Sequence, residues 1–214
     1  LHRRRHSFPT RRSSDLELTS SASLQIVKES VFDALTHVIE TFVSRKNNPF
    51  SQMISEKALE WVAELLPKLM VDERTPSMDD TMGLLSVLGG MNVAACGTCF
   101  PHRLEQAMAS LYETPISHGQ GLAIVYRSWL LHAYPYAKDR FDRISTFLDS
   151  GNIHQAIDNI IERLSMNATL KDVGFTQKDI PEIIQNVSGA TENDPIEGIH
   201  SECLEKILIQ SLGS

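Results

Sequence analysis

Along almost the whole chain the apolar residues recur every three or four positions, and almost nowhere do they alternate. Phe32, Leu35, Ile39 and Phe42 mark one face of a helix beginning at Ser30, with Ser30 and Asp33 placed as a capping pair. A second helix is predicted from Ser51 to Val71, with Ala58, Trp61, Val62, Leu65, Leu66 and Leu69 on one side. Pro67 sits inside it and should kink or divide it. Met78 to Ala95 reads as a third, largely buried helix, and Pro101 to Tyr112 as a fourth, short one. Gly121 to Tyr134 is apolar nearly all round, as a central helix should be. Amphipathic segments follow at Lys138 to Leu148, Ile153 to Leu164, Pro181 to Asn186 and Pro195 to Leu212, with Gly151, Gly174 and Gly189 at the breaks. Ser23 to Val27 is the one stretch that reads as a candidate strand, and no fixed-period repeat is present. The pattern predicts an all-α domain.

Composition sets what such a domain can do. With 42% hydrophobic and 22% charged residues in 214, the chain can bury a core without disulfides or a structural metal. The net charge of −7, with no Lys/Arg cluster in the body of the chain, argues against nucleic acid or an anionic membrane as partner and points to small ligands. The uncharged stretch from Thr81 to Pro101 approaches the length of a membrane span. Its Gly83, Gly89, Gly90, Asn92 and Gly97 lower its hydrophobicity, and its flanks offer Asp79, Asp80 and His102 rather than Lys or Arg anchors. It reads as a buried helix running into a glycine-rich turn. Cys96, Cys99 and Cys203 form an odd set without framework spacing, which predicts a reducing compartment and a cytoplasmic location. Cys96 and Cys99 have redox spacing but neither a second pair nor a preceding strand, and read as small core residues. Met78, Met82, Met91 and Met108 read as gap-filling core, and His132, His154 and His200 as surface or satisfied histidines.

Residues 1–16 differ from everything after them. They carry five Arg against one Asp, so +4 falls in this segment and −11 in the remainder of a chain whose total is −7. Neither helical nor strand periodicity is present, and there is no apolar stretch of a secretory signal. A basic targeting arm, a disordered tail and a non-native leader are the competing readings. The string resembles translated sequencing-adaptor sequence, which favours the leader. On that reading the native frame enters near Glu17, within a longer protein, and residues 17–214 form the domain.

Four residues carry candidate chemistry. Asp33 and His37 lie one helical turn apart and leave the same face, so they can converge on one ion; the pair alone is also what a capping acid and its neighbour would look like. His102 stands at a predicted helix start, where the dipole favours neutral imidazole and hence ligation. His118, just before Gly119 and the central helix, is similarly placed. One carboxylate and three imidazoles suit Fe(II) or Zn(II), whereas Mg and Ca would want more oxygens.

The string Asp33-Ala-Leu-Thr-His37-Val-Ile-Glu40, then His102 to Gly119, then Gly121-Leu-Ala-Ile-Val125 running into Trp129, resembles the iron-containing (group III) alcohol dehydrogenase family, most of all its butanol dehydrogenase-like branch. The segment from Val173 to Pro181 resembles that family's C-terminal region, so the resemblance covers Ser23 to the C-terminus. It implies the helical C-terminal domain of a dehydroquinate synthase-like fold, with metal ligands at Asp33, His37, His102 and His118. It also implies hydride transfer between a small alcohol or aldehyde and NAD(P), the nucleotide being held by an N-terminal domain missing here, so that the chain alone should be inactive. A homodimer is the candidate assembly of the full-length protein.

This sequence departs from the family's pattern at three places. Gln106 stands where many members have a histidine suspected of proton relay; it can orient a substrate but takes no proton at neutral pH. The loop through Pro115 before His118 is two residues longer than usual, and Arg127 replaces a frequent proline. Two other readings remain at this stage: a metal-free helical interaction module, and a hydrolase in which the ion activates water.

Overall fold

A computed structural model describes residues 21–111, 116–198 and 200–213 of the chain. The leader and Tyr112 to Pro115, where the longer loop falls, lie outside the described residues. Among the described residues, nine α-helices and two short 3₁₀ turns make up the regular structure, and there is no strand.

Helix α1 (Leu24–Val43) is buried over most of its length and packs against α2 (Pro49–Leu69), α3 (Pro76–Cys96) and α5 (His118–Ala133). It starts earlier than the sequence predicts. Ser23, not Ser30, is the N-cap, its Oγ accepting from the Ile26 amide at 3.3 Å, and the candidate strand 23–27 is the cap and first turn of this helix. Burial of Val27 and Val31 outweighs the weak helix propensity of the β-branched run. Asp33 is therefore a mid-helix residue and not a capping acid. In α2 the Asn48 side chain accepts from the Phe50 and Ser51 amides, both at 3.1 Å, and Pro49 occupies the first turn. Pro67 does not divide α2; it falls in the last turn, and the helix ends two residues later at Leu69.

Helix α3 is less buried than predicted. Only Met78, Asp79, Leu85, Gly89, Asn92 and Cys96 are inaccessible, whereas Leu84, Val87 and Met91 are exposed. A single face meets α1 and α2, and the opposite face is apolar without being covered, which corrects the assignment of Met91 to the core. No single helix among the described residues is long and apolar enough to cross a membrane. Helix α3 and the short α4 (Phe100–Ala109) meet the length and composition criterion only together, and they are bent by 101° from one another.

A 3₁₀ turn (Tyr134–Tyr136) follows α5 and leads to α6 (Lys138–Phe147) and α7 (Ile153–Arg163); another (Gln177–Asp179) leads to α8 (Ile180–Asn186) and α9 (His200–Ser211). The last helix starts five residues after the predicted Pro195, because Asn193 and Asp194 are buried in a loop that returns to the α3–α4 junction. Asp194 Oδ2 accepts from the Phe100 amide (2.8 Å) and from Trp129 Nε1 (2.9 Å), and Oδ1 accepts from the Ile196 amide (2.9 Å). Burial pushes this carboxyl up to about 7, against those three donors. Around this link Phe32, Phe42, Phe100, Tyr126, Trp129 and Phe141 form the fully buried aromatic core.

The sharp turn between α3 and α4 requires Gly97, whose φ is +69° and where a Cβ would lie 2.0 Å from Asn193 Nδ2. Gly97→Ala should cost about 2 kcal/mol or more, from left-handed backbone strain and displacement of the Asn193 loop. Equilibrium denaturation of the two proteins measures this, and equal stability would contradict it.

Candidate metal centre

Helix α1 carries Asp33, His37 and Glu40 on one side, since successive spacings of four and three residues return to the same face. Helix α4 presents His102 in its first turn, and α5 begins at His118, with Ser117 Oγ accepting from the Gln120 amide at 3.3 Å. Two helix N-termini thus point at the middle of a third helix.

There the three imidazoles converge on one oxygen. Asp33 Oδ1 lies 3.4 Å from His102 Nε2, 3.4 Å from His118 Nε2 and 3.7 Å from His37 Nε2. One potential donor atom from each of Asp33, His102 and His118 falls within 4.8 Å of the others, a separation that a single ion can span. His37 is not part of that tight group; its ring stacks on His102, with centroids 4.5 Å apart and planes 16° from parallel. His102 is 3% exposed, whereas the His118 side chain is 43% exposed, so the cluster has a closed inner end and an open outer one.

The rings are oriented from behind. His102 Nδ1 donates to Glu40 Oε1 at 2.8 Å, and His118 Nδ1 donates to Glu105 Oε2 at 2.6 Å, since a carboxylate can only accept. Each Nε2 is thereby directed inward, the arrangement by which outer carboxylates fix metal-binding histidines. Asp33 Oδ1 and His102 Nε2 are buried and have no hydrogen-bond partner. Buried polar atoms rarely lack a partner, and these two face each other at 3.4 Å without the alignment of a hydrogen bond. The donor set and its orphaned atoms fit a divalent cation.

The electrostatics agree with that fit. Burial acts to raise the Asp33 carboxyl, but the facing His102 and His118 and the charge of His37 hold it well below the usual carboxylate range. Burial acts to lower His102, but Glu40 and Asp33 push it up to about 9. Asp33 and Glu105 push His118 up to about 10. His37 is moved down by burial. Without a cation, protons fill the role of positive charge among three carboxylates.

Two of these contributors, Glu40 and Glu105, were not singled out by sequence reasoning. Both had a signal: Glu40 follows His37 by three residues and Glu105 follows His102 by three, placing each on the same helix face as that histidine, although the rings they bond are on other helices. Gln106 is on the exposed face of α4, where its Oε1 accepts from Arg103 Nη1 at 3.2 Å, because one residue of helix turns a side chain by about 100°. Arg127 donates to Asp158 Oδ1 at 2.8 Å and ties α5 to α7. Cys96 and Cys99 are buried free thiols, and burial pushes Cys99 well up, away from thiolate chemistry.

Comparison with known proteins decides the ancestry. The sequence model of the Fe-containing alcohol dehydrogenase family, C-terminal, matches residues 28–211. The chain belongs to this family. It is 23% identical over 207 residues to alcohol dehydrogenase 4 of Schizosaccharomyces pombe, spanning 92% of this chain and 49% of that protein. It is 23% identical over 203 residues to the NADPH-dependent butanol dehydrogenase of Clostridium saccharobutylicum, spanning 90% of this chain and 51% of that one. A crystal structure of 1,3-propanediol oxidoreductase superposes with a TM-score of 0.83 at 20% identity, covering 92% of this chain and 54% of the other, and shows the same fold. The chain thus spans about half the length of these relatives, and its all-helical fold is that of the C-terminal domain of iron alcohol dehydrogenases.

The raised histidines give the metal-free domain a pH signature. A group whose folded pKa exceeds its unfolded value of about 6.5 contributes stability below that value and loses it as pH rises through the folded pKa. For His102 and His118 the loss runs from about pH 6.5 through about 9 to 10. The melting temperature of metal-free protein should fall across that window, and less steeply in His118→Ala; parallel profiles would contradict the assignment.

Proposed function

We propose that this chain is the metal-binding, substrate-side half of an NAD(P)-linked alcohol dehydrogenase or aldehyde reductase. Its divalent ion, Fe(II) or Zn(II), would be held by Asp33, His37, His102 and His118. The observation that carries the reading is the pair of orphaned buried atoms, Asp33 Oδ1 and His102 Nε2, 3.4 Å apart with His118 Nε2 equally close to the carboxylate. Family membership adds to it, and so do the relatives named as alcohol and butanol dehydrogenases.

When bound, a divalent ion at this place supplies Lewis acidity toward an alcohol or carbonyl oxygen. The chain's own residues account for the remainder of the arrangement. Asp33 supplies the single negative charge facing inward, while Glu40 and Glu105 hold His102 and His118 through Nδ1 so that Nε2 points inward. The buried inner end at His102 excludes water, and the open side at His118 leaves room for a small oxygen ligand. Gln106, exposed on α4, can orient a substrate but takes no proton at neutral pH. The nicotinamide nucleotide needs a phosphate-binding strand–turn–helix that the described helices lack, and we assign it to the portion of the relatives' length that this chain does not span.

Elemental analysis of the purified chain tests the reading. About one equivalent of Fe or Zn per chain is expected, with Asp33→Ala and His118→Ala each losing most of it. Absence of metal after anaerobic reconstitution would overturn it and favour the metal-free helical module. The metal-loaded chain alone, given NAD(P)H and butyraldehyde, should show no turnover. Hydride transfer by the isolated chain would refute the division of labour, and ester cleavage without nicotinamide would favour the hydrolase.

A further inference from the structure

We infer that Glu105 is the positioning residue on which the outer half of the metal centre depends. This inference rests on the reading that the cluster holds a divalent ion. The two orienting carboxylates are not equivalent. His102 is held by Glu40, by burial and by stacking on His37, so its ring has several constraints. His118 stands at the first residue of α5 with its side chain 43% exposed. Its Nδ1 donates to Glu105 Oε2 at 2.6 Å, and its Nε2 lies 3.4 Å from Asp33 Oδ1, the oxygen on which all three imidazoles converge. A half-exposed imidazole at a helix start is free to rotate unless such a bond fixes it.

The fold makes room for this bond. The Glu105 side chain is 6% exposed, wedged between α4 and α5. It reaches His118 by passing over Gly121, where a Cβ would lie 2.8 Å from Glu105 Cγ and 3.2 Å from Oε1. Gly121 has no positive φ to explain it; space for the carboxylate does. Glu105 therefore sets the tautomer of His118, aims Nε2 at Asp33 and adds negative charge behind the ligand.

A competition titration of Zn²⁺ against a chromophoric chelator tests the inference. The proteins compared are wild type, Glu105→Gln, Gly121→Ala, His118→Ala and Glu105→Gln combined with His118→Ala, with helicity verified by circular dichroism. Glu105→Gln should weaken Zn²⁺ binding about 10- to 100-fold. Gly121→Ala, which displaces Glu105 without altering any ionisable group, should weaken it in the same direction. Because Glu105 acts through His118, Glu105→Gln should add little to the loss already caused by His118→Ala; a general structural role would give equal losses in both backgrounds. Full affinity in Glu105→Gln, or equal losses with and without His118, would overturn the inference. If Glu105→Gln does not fold, Gly121→Ala decides, and unchanged affinity there would overturn it. Failure of the wild type to bind Zn²⁺ removes the underlying reading instead, a result distinct from binding that ignores Glu105.

Discussion

Glu40 sits at 0% exposure in the middle of the domain with each of its oxygens committed to a different element. Oε1 accepts from His102, and Oε2 accepts from the backbone amide of Cys99, at the N-cap of α4. A carboxylate buried without partners would be prohibitively unfavourable, so these two bonds must form together with the packing of α1 against α4. The partial positive charge at the start of α4 favours the same arrangement. Asp194 adds a second carboxylate at that helix end, accepting from Phe100 and tying Trp129 to it. Docking of α4 and orientation of a candidate ligand are therefore one event, not two.

The rest of the architecture serves the same convergence. Helix α1 is buried on nearly all sides because α2, α3 and α5 pack around it, and this fixes Asp33 and His37 at mid-height. Helix α4 is only ten residues long, yet it contributes His102 to one side and Glu105 to the neighbouring helix. Helix α5 places His118 at its first residue and then runs through the core to Trp129. The cluster has imidazoles on the inside, carboxylates behind two of them and an opening beside the third. Such a layered arrangement binds a cation more readily than a lone pair of ligands would, since each ring arrives already oriented.

Much of this was legible from residue order. The Asp33/His37 pair could be found from the i, i+4 spacing, which survives any error of a few residues in the helix start. The start itself was misread, because Ser30 and Asp33 imitate a cap and the β-branched residues before them imitate a strand. Burial of Val27 and Val31 overrode both signals. Apolar composition likewise overstated the burial of α3: Leu84, Val87 and Met91 lie on its uncovered side, and a charge-free helix does not say how many of its faces have neighbours. Glu105 shares a helix face with His102 in the sequence, but its bond to His118 depends on how α4 docks against α5.

By itself the sequence determined the class of fold, the approximate place of every helix in the domain and the identity of four residues with ligand chemistry. These follow from periodicity, breaks and local spacing, which depend on a few neighbouring residues. Only the tertiary structure decided that His102 and His118 reach Asp33, that Glu40 and Glu105 stand behind them, and that one end of the cluster is closed. Those relations join residues up to 85 positions apart through helix docking, as between Asp33 and His118. No local rule can supply them, because the angle at which α4 and α5 meet α1 is set by the packing of the whole core.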